Sequence, residues 1–274
     1  MKGGEILTTI QGVILGIVQG LTEFLPISSS GHLVIFQRLF GLKEGVVTFD
    51  IAVHLATLAA VFIVMRKEIW EILKKPFGKL PLLIIAGTIP TIIIGAVFSD
   101  FIKNMFNSAK SLGFEFLLTG IALYYADNTK SRNKGINSTT YADAVVIGMA
   151  QGVAILPAVS RSGLTIAGAI SRGLNREFAL KFSFLMSIPA ILGAAVKDGY
   201  DIISSGSGFA NNVETVPLIA GMMAAAISGY IAIRFMLKIF SKASMKIFSY
   251  YVFVLAAFVL IDQLFFGKFF GRLF

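Results

Sequence analysis

Long apolar runs separated by short polar stretches make up most of the chain, and six of these runs are predicted to cross a membrane as helices. They lie at about 49–65, 80–98, 112–126, 179–196, 217–237 and 248–266. Several are close to the ~20 residues needed to cross a hydrocarbon core of about 30 Å, and local thinning of the bilayer accommodates the shorter ones. A transmembrane β-barrel would instead show short segments in which hydrophobic and polar residues alternate. We therefore predict an all-α integral membrane protein.

Two further apolar runs are each interrupted by a similar polar phrase. The first reads QGLTEFLPISSSGH from Gln19 to His32, and the second reads QGVAILPAVSRSGL from Gln151 to Leu164. Proline, clustered serines and glycine interrupt a helix, and the flanking runs of roughly 13–17 residues are too short to span comfortably. We predict that each phrase forms a re-entrant helix–loop–helix hairpin, with its non-helical backbone buried in protein or lining a wet cavity.

The two halves of the chain repeat this plan. The phrases are offset by 132 residues, and the three spans that follow each phrase are offset by 130, 137 and 136. We predict a first repeat at 1–126, a polar linker at 127–143 and a second repeat at 144–274. Because three spans are an odd number, the second repeat enters the membrane from the opposite side. The expected architecture is an inverted-topology repeat of six spans and two re-entrant hairpins, which places binding sites near the midplane.

Composition supports the membrane interpretation and narrows the chemistry. Hydrophobic residues make up 56% of the chain and charged residues 14%, against about 25% charged in soluble domains. The chain has no cysteine, and its two histidines are His32 and His54, which excludes thiol catalysis, cysteine-ligated zinc and a multi-histidine metal centre. Any metal would be a hard cation with oxygen ligands.

The net charge of +9 is interpreted as a topology signal rather than a nucleic-acid surface, because the basic residues are spread through short loops. The loops on one side, which include 66–79, carry 13 Lys and Arg residues. The side that holds the amino terminus and a loop at 99–111 carries 8, so the first side is predicted to be cytoplasmic. We interpret the amino-terminal apolar stretch as part of the mature protein, since Gln11 and Gln19 interrupt it.

Anion binding is the chemistry that the two phrases favour. A serine before a helix can cap it and leave backbone N–H groups free for a phosphate. The second phrase adds Arg161, whose burial in a membrane costs at least about 2.5–3.5 kcal/mol and whose forked donors suit phosphate oxygens. Two such turns meeting at the repeat interface would form one composite site. The alternative is structural: helix caps, and an ion pair between Arg161 and Glu23.

The first phrase carries the groups that could act on a bound phosphate. Glu23 could serve as a general base or hold Mg²⁺ or Ca²⁺. Ser29 and His32 are three residues apart, so a serine nucleophile with a histidine base is a further candidate. We interpret His54, four residues after Asp50, as a locally satisfied pair, with a relay as the alternative. We expect other acids near span ends, Glu115 among them, to be solvated.

These phrases closely resemble those of the undecaprenyl-diphosphate phosphatase family, also called the bacitracin-resistance phosphatases. The long first phrase from Gln19 to His32 and the second from Pro157 to Gly163 carry the resemblance, which extends over essentially the whole chain. It implies a bacterial inner-membrane enzyme with its site facing the outer side. Such an enzyme removes the terminal phosphate of undecaprenyl diphosphate, recycles the monophosphate carrier for cell-wall synthesis and confers bacitracin resistance.

The resemblance also implies roles for individual residues. Glu23 matches the essential acid and cation ligand, Ser29 the candidate nucleophile, His32 the candidate acid–base residue and Arg161 the diphosphate-binding arginine. The family's cation requirement is expected to be met by Mg²⁺ or Ca²⁺. The remaining polar and glycine positions of the phrases are expected to bind substrate: Gln19, Thr22, Ser28, Ser30, Gly31, Gln151, Ser160, Ser162 and Gly163.

Two positions depart from the usual family pattern. Gln19 occupies a position that can hold a second acid, which leaves Glu23 as the single carboxylate for a cation, and Ala158 replaces a usual glycine. Sequence reasoning leaves open whether Ser29 attacks phosphorus or whether Glu23 or His32 activates water.

A transporter is the alternative function, because inverted repeats and re-entrant hairpins also build lipid-phosphate flippases and anion carriers. The expected partners are a polyprenyl diphosphate and the bilayer, with no nucleic acid. The oligomeric state stays open, a homodimer included.

Overall fold

The computed structural model describes residues 7–42, 47–108, 110–129, 133–204, 214–240 and 244–273. Within these ranges the protein is helical, with one isolated parallel bridge between Lys134 and Leu174. The described α-helices are α1 Thr9–Phe24, α2 Ser29–Leu39, α3 Val47–Val64, α4 Arg66–Lys74, α5 Lys79–Val97, α6 Ser99–Ser108, α7 Leu112–Asn128, α8 Tyr141–Val153, α9 Arg161–Ser171, α10 Arg176–Ser204, α11 Thr215–Ile239 and α12 Lys246–Ile261. A π-helical turn, Asp262–Phe266, continues α12.

Five of the described helices are long and apolar enough to cross a membrane: α3, α5, α10, α11, and α12 with its π-turn. The chain is therefore a multi-pass membrane protein. The remaining predicted span, 112–126, corresponds to α7, whose 17 residues extend over about 26 Å at 1.5 Å per residue. That length is somewhat less than the hydrocarbon core of about 30 Å.

Two stretches predicted as loops are largely helical. The stretch 66–79 contains α4, and 99–111 contains α6. Apolar and charged residues recur at helical spacing in α4, and its residues Ile69 and Ile72 pack against the main hydrophobic core. Short amphipathic helices of this kind lack the long apolar run by which a spanning helix is found.

Both polar phrases interrupt helices, as predicted. The first break separates α1 from α2 at residues 25–28, and the second separates α8 from α9 at residues 154–160. Helix α8 begins at Tyr141, so the end of the predicted linker at 127–143 is helical. Residues 130–132 of that linker lie outside the described residues.

Helices from the two halves pack against each other in matching pairs. Helix α1 packs along α11, α8 packs along α5, and α7 packs along α12. Glycines allow the first two pairs to approach closely: a Cβ on Gly16 would collide with the carbonyl oxygen of Gly221, and a Cβ on Gly148 with that of Gly87. Gly16 and Gly148 are separated by the 132 residues that also separate the phrases.

Candidate active site

Side chains from both halves of the chain meet at the carboxylate of Glu23. Its Oε1 accepts a hydrogen bond of 2.7 Å from the Nη2 of Arg161, which comes from the second half. Its Oε2 accepts bonds from the Oγ of Ser29 at 2.6 Å and from the Nε2 of Gln19 at 3.0 Å. Glu23 is 6% exposed. One buried carboxylate therefore accepts hydrogen bonds from a guanidinium, a hydroxyl and an amide.

The local geometry of the first break aims Ser29 at Glu23. Gln19 and Glu23 lie one turn apart on the same face of α1, which ends at Phe24. Ser28 then caps α2, accepting a bond from the N–H of Gly31 at 3.2 Å. Its φ of 71° lies in the left-handed region, which costs a non-glycine residue about 1–3 kcal/mol and is typical of functional sites. Ser29, the first residue of α2, is thereby turned back toward α1.

The second break uses the same device to place Arg161. Ser160 caps α9 and accepts a bond from the N–H of Gly163 at 3.0 Å. Arg161 is the first residue of α9, as Ser29 is of α2. Its side chain is 14% exposed, and its Nη1 also donates to the carbonyl oxygen of Ser183 on α10 at 3.3 Å. The two breaks therefore present unlike groups at equivalent positions, a hydroxyl and a guanidinium.

The two breaks also touch each other directly. The Oγ of Ser162 donates to the carbonyl oxygen of Leu25 at 3.0 Å. A Cβ added at Gly163 would lie 3.4 Å from the carbonyl oxygen of Pro26. A Cβ added at Gly31 would lie 3.0 Å from the Cβ of Ala158. The two breaks are therefore packed directly against each other.

Helix α7 holds the second break, a contribution that sequence reasoning missed. The Oε2 of Glu115 accepts a bond of 2.9 Å from the N–H of Ala158, and the Oγ1 of Thr119 accepts one of 3.0 Å from the N–H of Ser160. Glu115 is 4% exposed, so the expectation that it is solvated at a span end is wrong. Glu115 and Thr119 each satisfy one backbone donor that the break in the helix leaves without an intrahelical partner.

The predicted pairing of Ser29 with His32 is not the one formed among the described residues, where Ser29 donates to Glu23. Both ring nitrogens of His32 have other partners: Nδ1 lies 2.6 Å from the carbonyl oxygen of Ser28, and Nε2 lies 2.8 Å from the hydroxyl of Tyr251. Because a carbonyl only accepts, Nδ1 carries a proton. His32 is buried and stacks on Tyr251.

The other positions expected to bind substrate divide into two groups. Ser28 and Ser160 lie in the breaks, and the first turns of α2 and α9 hold Ser30, Gly31, Ser162 and Gly163. The Oγ of Ser30 lies 3.5 Å from that of Ser28.

Thr22 and Gln151 instead bond to helix neighbours. The hydroxyl of Thr22 donates to Val18 of its own helix at 2.6 Å. The Nε2 of Gln151 donates to the hydroxyl of Thr91 at 3.1 Å, between α8 and α5.

His54 reaches the site, although its sequence context favours a locally satisfied pair. Its Nε2 lies 3.7 Å from the Oε2 of Glu23, and 30% of its side chain is exposed. Its Nδ1 lies 2.7 Å from the backbone oxygen of Asp50, whereas the carboxylate of Asp50 accepts a bond of 2.9 Å from the Nε2 of Gln37. The sequence could have indicated this placement, because His54 lies within a predicted span and ionisable residues in spans are commonly functional.

Oxygen ligands for a hard cation are few. The described residues contain no group of three His, Asp or Glu side chains that could hold a metal. Beside Glu23, the Oε1 of Gln19 is buried and has no hydrogen-bond partner among the described residues. Magnesium is commonly held by one or two carboxylates together with substrate phosphates. Glu23 with Gln19 fits a cation that arrives with a phosphate ligand.

Comparison with known proteins places the chain in a family. Residues 12–258 match the family model described as bacitracin resistance protein BacA. The undecaprenyl-diphosphatase of Carboxydothermus hydrogenoformans is 54% identical over 94% of this chain and 98% of its own length. Undecaprenyl-diphosphatase 4 of Bacillus cereus strain ZK / E33L is 46% identical over 93% and 97%. The undecaprenyl-diphosphatase of Halothermothrix orenii is 41% identical over 91% and 96%. The chain therefore belongs to the bacitracin resistance protein BacA family.

Proposed function

We propose that the chain is an integral membrane phosphatase that hydrolyses the terminal phosphate of undecaprenyl diphosphate. The product is the monophosphate carrier, which is recycled for cell-wall synthesis, and the activity confers bacitracin resistance. The observation that carries this function is the Glu23 carboxylate, which contacts both a hydroxyl, Ser29 at 2.6 Å, and an anion-binding guanidinium, Arg161 at 2.7 Å. The family and the shared name of its relatives support the substrate.

In the proposed reaction the Oγ of Ser29 attacks the terminal phosphorus while its proton passes to Oε2 of Glu23. The new Oγ–P bond forms as the P–O bond to the bridging oxygen breaks, and polyprenyl phosphate leaves with the electron pair. Water then attacks the phosphorus of the phosphoserine, the P–Oγ bond breaks, inorganic phosphate leaves, and Oγ takes up a proton from the attacking water. Direct attack by water, with Glu23 as its base, uses the same contacts. The 2.6 Å contact between Ser29 and Glu23 supports the covalent route.

Charge stabilisation supplies most of the catalysis in this scheme, as in other phosphoryl transfers. Arg161 neutralises the phosphate oxygens, and backbone N–H groups of the serine-rich turns donate to them. The caps formed by Ser28 and Ser160 orient those turns. His32 supports the machinery by fixing the backbone oxygen of Ser28, the strained residue that precedes Ser29.

A divalent cation, Mg²⁺ or Ca²⁺, is proposed as the cofactor. Glu23 and the Oε1 of Gln19 would hold it together with the diphosphate, and it would offset negative charge on the phosphates when bound. The unpartnered oxygen of Gln19 supports this assignment.

The proposed topology is an inverted repeat of six spans and two re-entrant hairpins in the bacterial inner membrane, with the site open to the outer side. The matching helix pairs α1–α11 and α8–α5 support an exchange symmetry between the halves. Assembly as a homodimer stays a prediction.

Phosphate release from undecaprenyl diphosphate by purified protein in detergent tests this function. We expect turnover with Mg²⁺ or Ca²⁺ and loss of turnover with EDTA. Folded protein that binds the lipid without releasing phosphate would overturn the phosphatase and favour a lipid-phosphate carrier, which uses Arg161 and the turns for binding alone.

A further inference from the structure

Helix α4 lies between the ends of two spanning helices. It begins at Arg66, directly after α3 ends at Val64, and the chain enters the next spanning helix, α5, at Lys79. A segment joined this closely to two spans is confined to the membrane surface. Arg66 follows His54 by 12 positions, about 18 Å along the chain of α3, so α4 is separate from the candidate active site.

Large apolar side chains of this segment are exposed outside the protein core. Ile69 and Ile72 of α4 pack against the main hydrophobic core. By contrast, Trp70 is 58% exposed, Leu73 is 65% exposed, and Phe77, in the turn after α4, is 88% exposed. Tryptophan is enriched where a membrane meets water, and apolar side chains beside basic residues are typical of helices that lie in that interface. We infer that these exposed side chains enter the bilayer.

Positive charge surrounds these apolar side chains. The exposed basic residues of the segment 66–79 are Arg66, Lys67, Lys74, Lys75 and Lys79. Its two acids are Glu68 and Glu71, which leaves a formal charge of +3, and Glu68 lies 3.5 Å from Lys181 of α10. The Nζ of Lys74 lies 5.4 Å from the centre of the Trp70 ring, so cationic and aromatic groups share one face.

Helix α6, at the opposite end of α5, has exposed apolar side chains without this excess of positive charge. Phe101 and Phe106 are exposed there, but the charged residues of α6 are Asp100 and Lys103. Lys103 is paired with Asp201 of α10 at 2.8 Å. Of the two helices that flank α5, α4 is therefore the one whose surface complements a negatively charged membrane.

We propose that the exposed face of the segment 66–79 binds the headgroups of anionic phospholipids. The lysines contact the charged headgroups, while Trp70, Leu73 and Phe77 enter the acyl region beside them. A free phosphate ion would match the cations alone, whereas a phospholipid matches both the cations and the apolar side chains. This surface is independent of the proposed phosphatase function.

Fluorescence of Trp70, the single tryptophan of the chain, reports lipid contact at this surface directly. The purified protein is placed in phosphatidylcholine bilayers that contain an equal mole fraction of brominated phosphatidylglycerol or brominated phosphatidylcholine. The bromine, which quenches tryptophan on contact, is carried in the upper part of the acyl chain. We expect quenching to show about a fivefold preference for phosphatidylglycerol, the factor that one lysine near an anionic surface supplies. High salt should reduce this preference, because it screens exposed charges.

The double variant Lys67→Gln/Lys75→Gln tests the role of the cations while leaving Lys74 over the Trp70 ring. Its preference for phosphatidylglycerol should fall to about twofold or less. Lys103→Gln/Lys110→Gln is the matched control, because it removes the same charge from exposed positions beyond the opposite end of α5. This control should keep the wild-type preference, and size-exclusion chromatography checks that each variant is folded.

Equal quenching of the wild type by the two brominated lipids would overturn the proposal, and so would quenching by neither. An unchanged preference in Lys67→Gln/Lys75→Gln, or an equal loss in the control variant, would show that the segment 66–79 does not select the lipid. Loss of the preference when soluble glycerol phosphate is added would assign the surface to a free phosphate and overturn lipid binding.

Discussion

If Arg161 binds the diphosphate as proposed, Glu23 and the substrate compete for its guanidinium, and this leads to an unusual prediction for Glu23→Gln. Arg161 and Glu23 are 2.7 Å apart and are 14% and 6% exposed. Coulomb's law at an effective dielectric constant of about 20 gives a gross attraction of roughly 6 kcal/mol at this separation. Most of this is offset by desolvation, and a hydrogen bond between charged groups contributes about 1.5–3 kcal/mol net.

A diphosphate that recruits Arg161 must weaken this pair, and glutamine removes the competing charge while keeping the size of the side chain. We therefore expect Glu23→Gln to bind diphosphate roughly 10- to 100-fold more tightly than the wild type, since 1.4 kcal/mol corresponds to a factor of ten. Its turnover should fall by about 10²–10⁴ because the general base is lost. Tighter binding with slower turnover separates this account from simple damage to the site.

The assay is titration of the purified protein with farnesyl methylenebisphosphonate, whose P–C–P bridge cannot be hydrolysed, in EDTA. EDTA removes divalent cations. This is needed because a cation that bridges Glu23 to the phosphates would make the Glu23 charge strengthen diphosphate binding instead of weakening it. Glu71→Gln, which changes an exposed acid on α4, is the control and should match the wild type. Equal or weaker binding by Glu23→Gln under these conditions would refute the competition between Glu23 and the diphosphate for Arg161.

Three further predictions concern packing, the second break and the cation. Gly148→Ala should destabilise the protein by about 1–3 kcal/mol in a detergent melting assay, because its Cβ collides with the carbonyl of Gly87. Gly193→Ala, with no neighbour within 4 Å, should not. Glu115→Leu should lower the free energy of unfolding by about 1–3 kcal/mol and reduce turnover, because it leaves the Ala158 N–H unpaired. Glu115→Gln keeps an oxygen acceptor, so its losses of stability and turnover should be smaller. Equal losses in the two variants would contradict this role of Glu115. Calorimetry should detect Mg²⁺ binding only with the bisphosphonate present, and binding to the protein alone would contradict a substrate-borne cation.

The interruption of a helix in each phrase could be predicted from the sequence, because it depends on local chemistry. Proline, serine and glycine interrupt a helix wherever they cluster. A buried arginine needs a counter-charge, and Glu23 is the only acid in either phrase. The ion pair between Arg161 and Glu23, which the sequence analysis kept as the structural alternative to anion binding, is formed across 138 positions.

The rest of the site depends on packing between distant helices, which an apolar run does not encode. His32 meets Tyr251 across 219 positions, and Glu115 reaches the second break from α7. Nothing in the spacing of Ser29 and His32 indicates that a tyrosine of α12 takes the ring nitrogen instead. Helices α4 and α6 were not predicted from the sequence, because their charged residues are also typical of loops.

A double-mutant cycle on phosphate release tests most directly whether the two breaks form one catalytic site. Undecaprenyl diphosphate turnover is compared among the wild type, Ser29→Ala, Arg161→Ala and the double variant, each checked for folding by size-exclusion chromatography. Residues that act as a unit are strongly non-additive, so the double variant should be about as slow as the slower single variant. If the losses of turnover in the two single variants multiply in the double variant, the two breaks do not act as one site. A Ser29→Ala variant that keeps wild-type turnover would contradict a serine nucleophile.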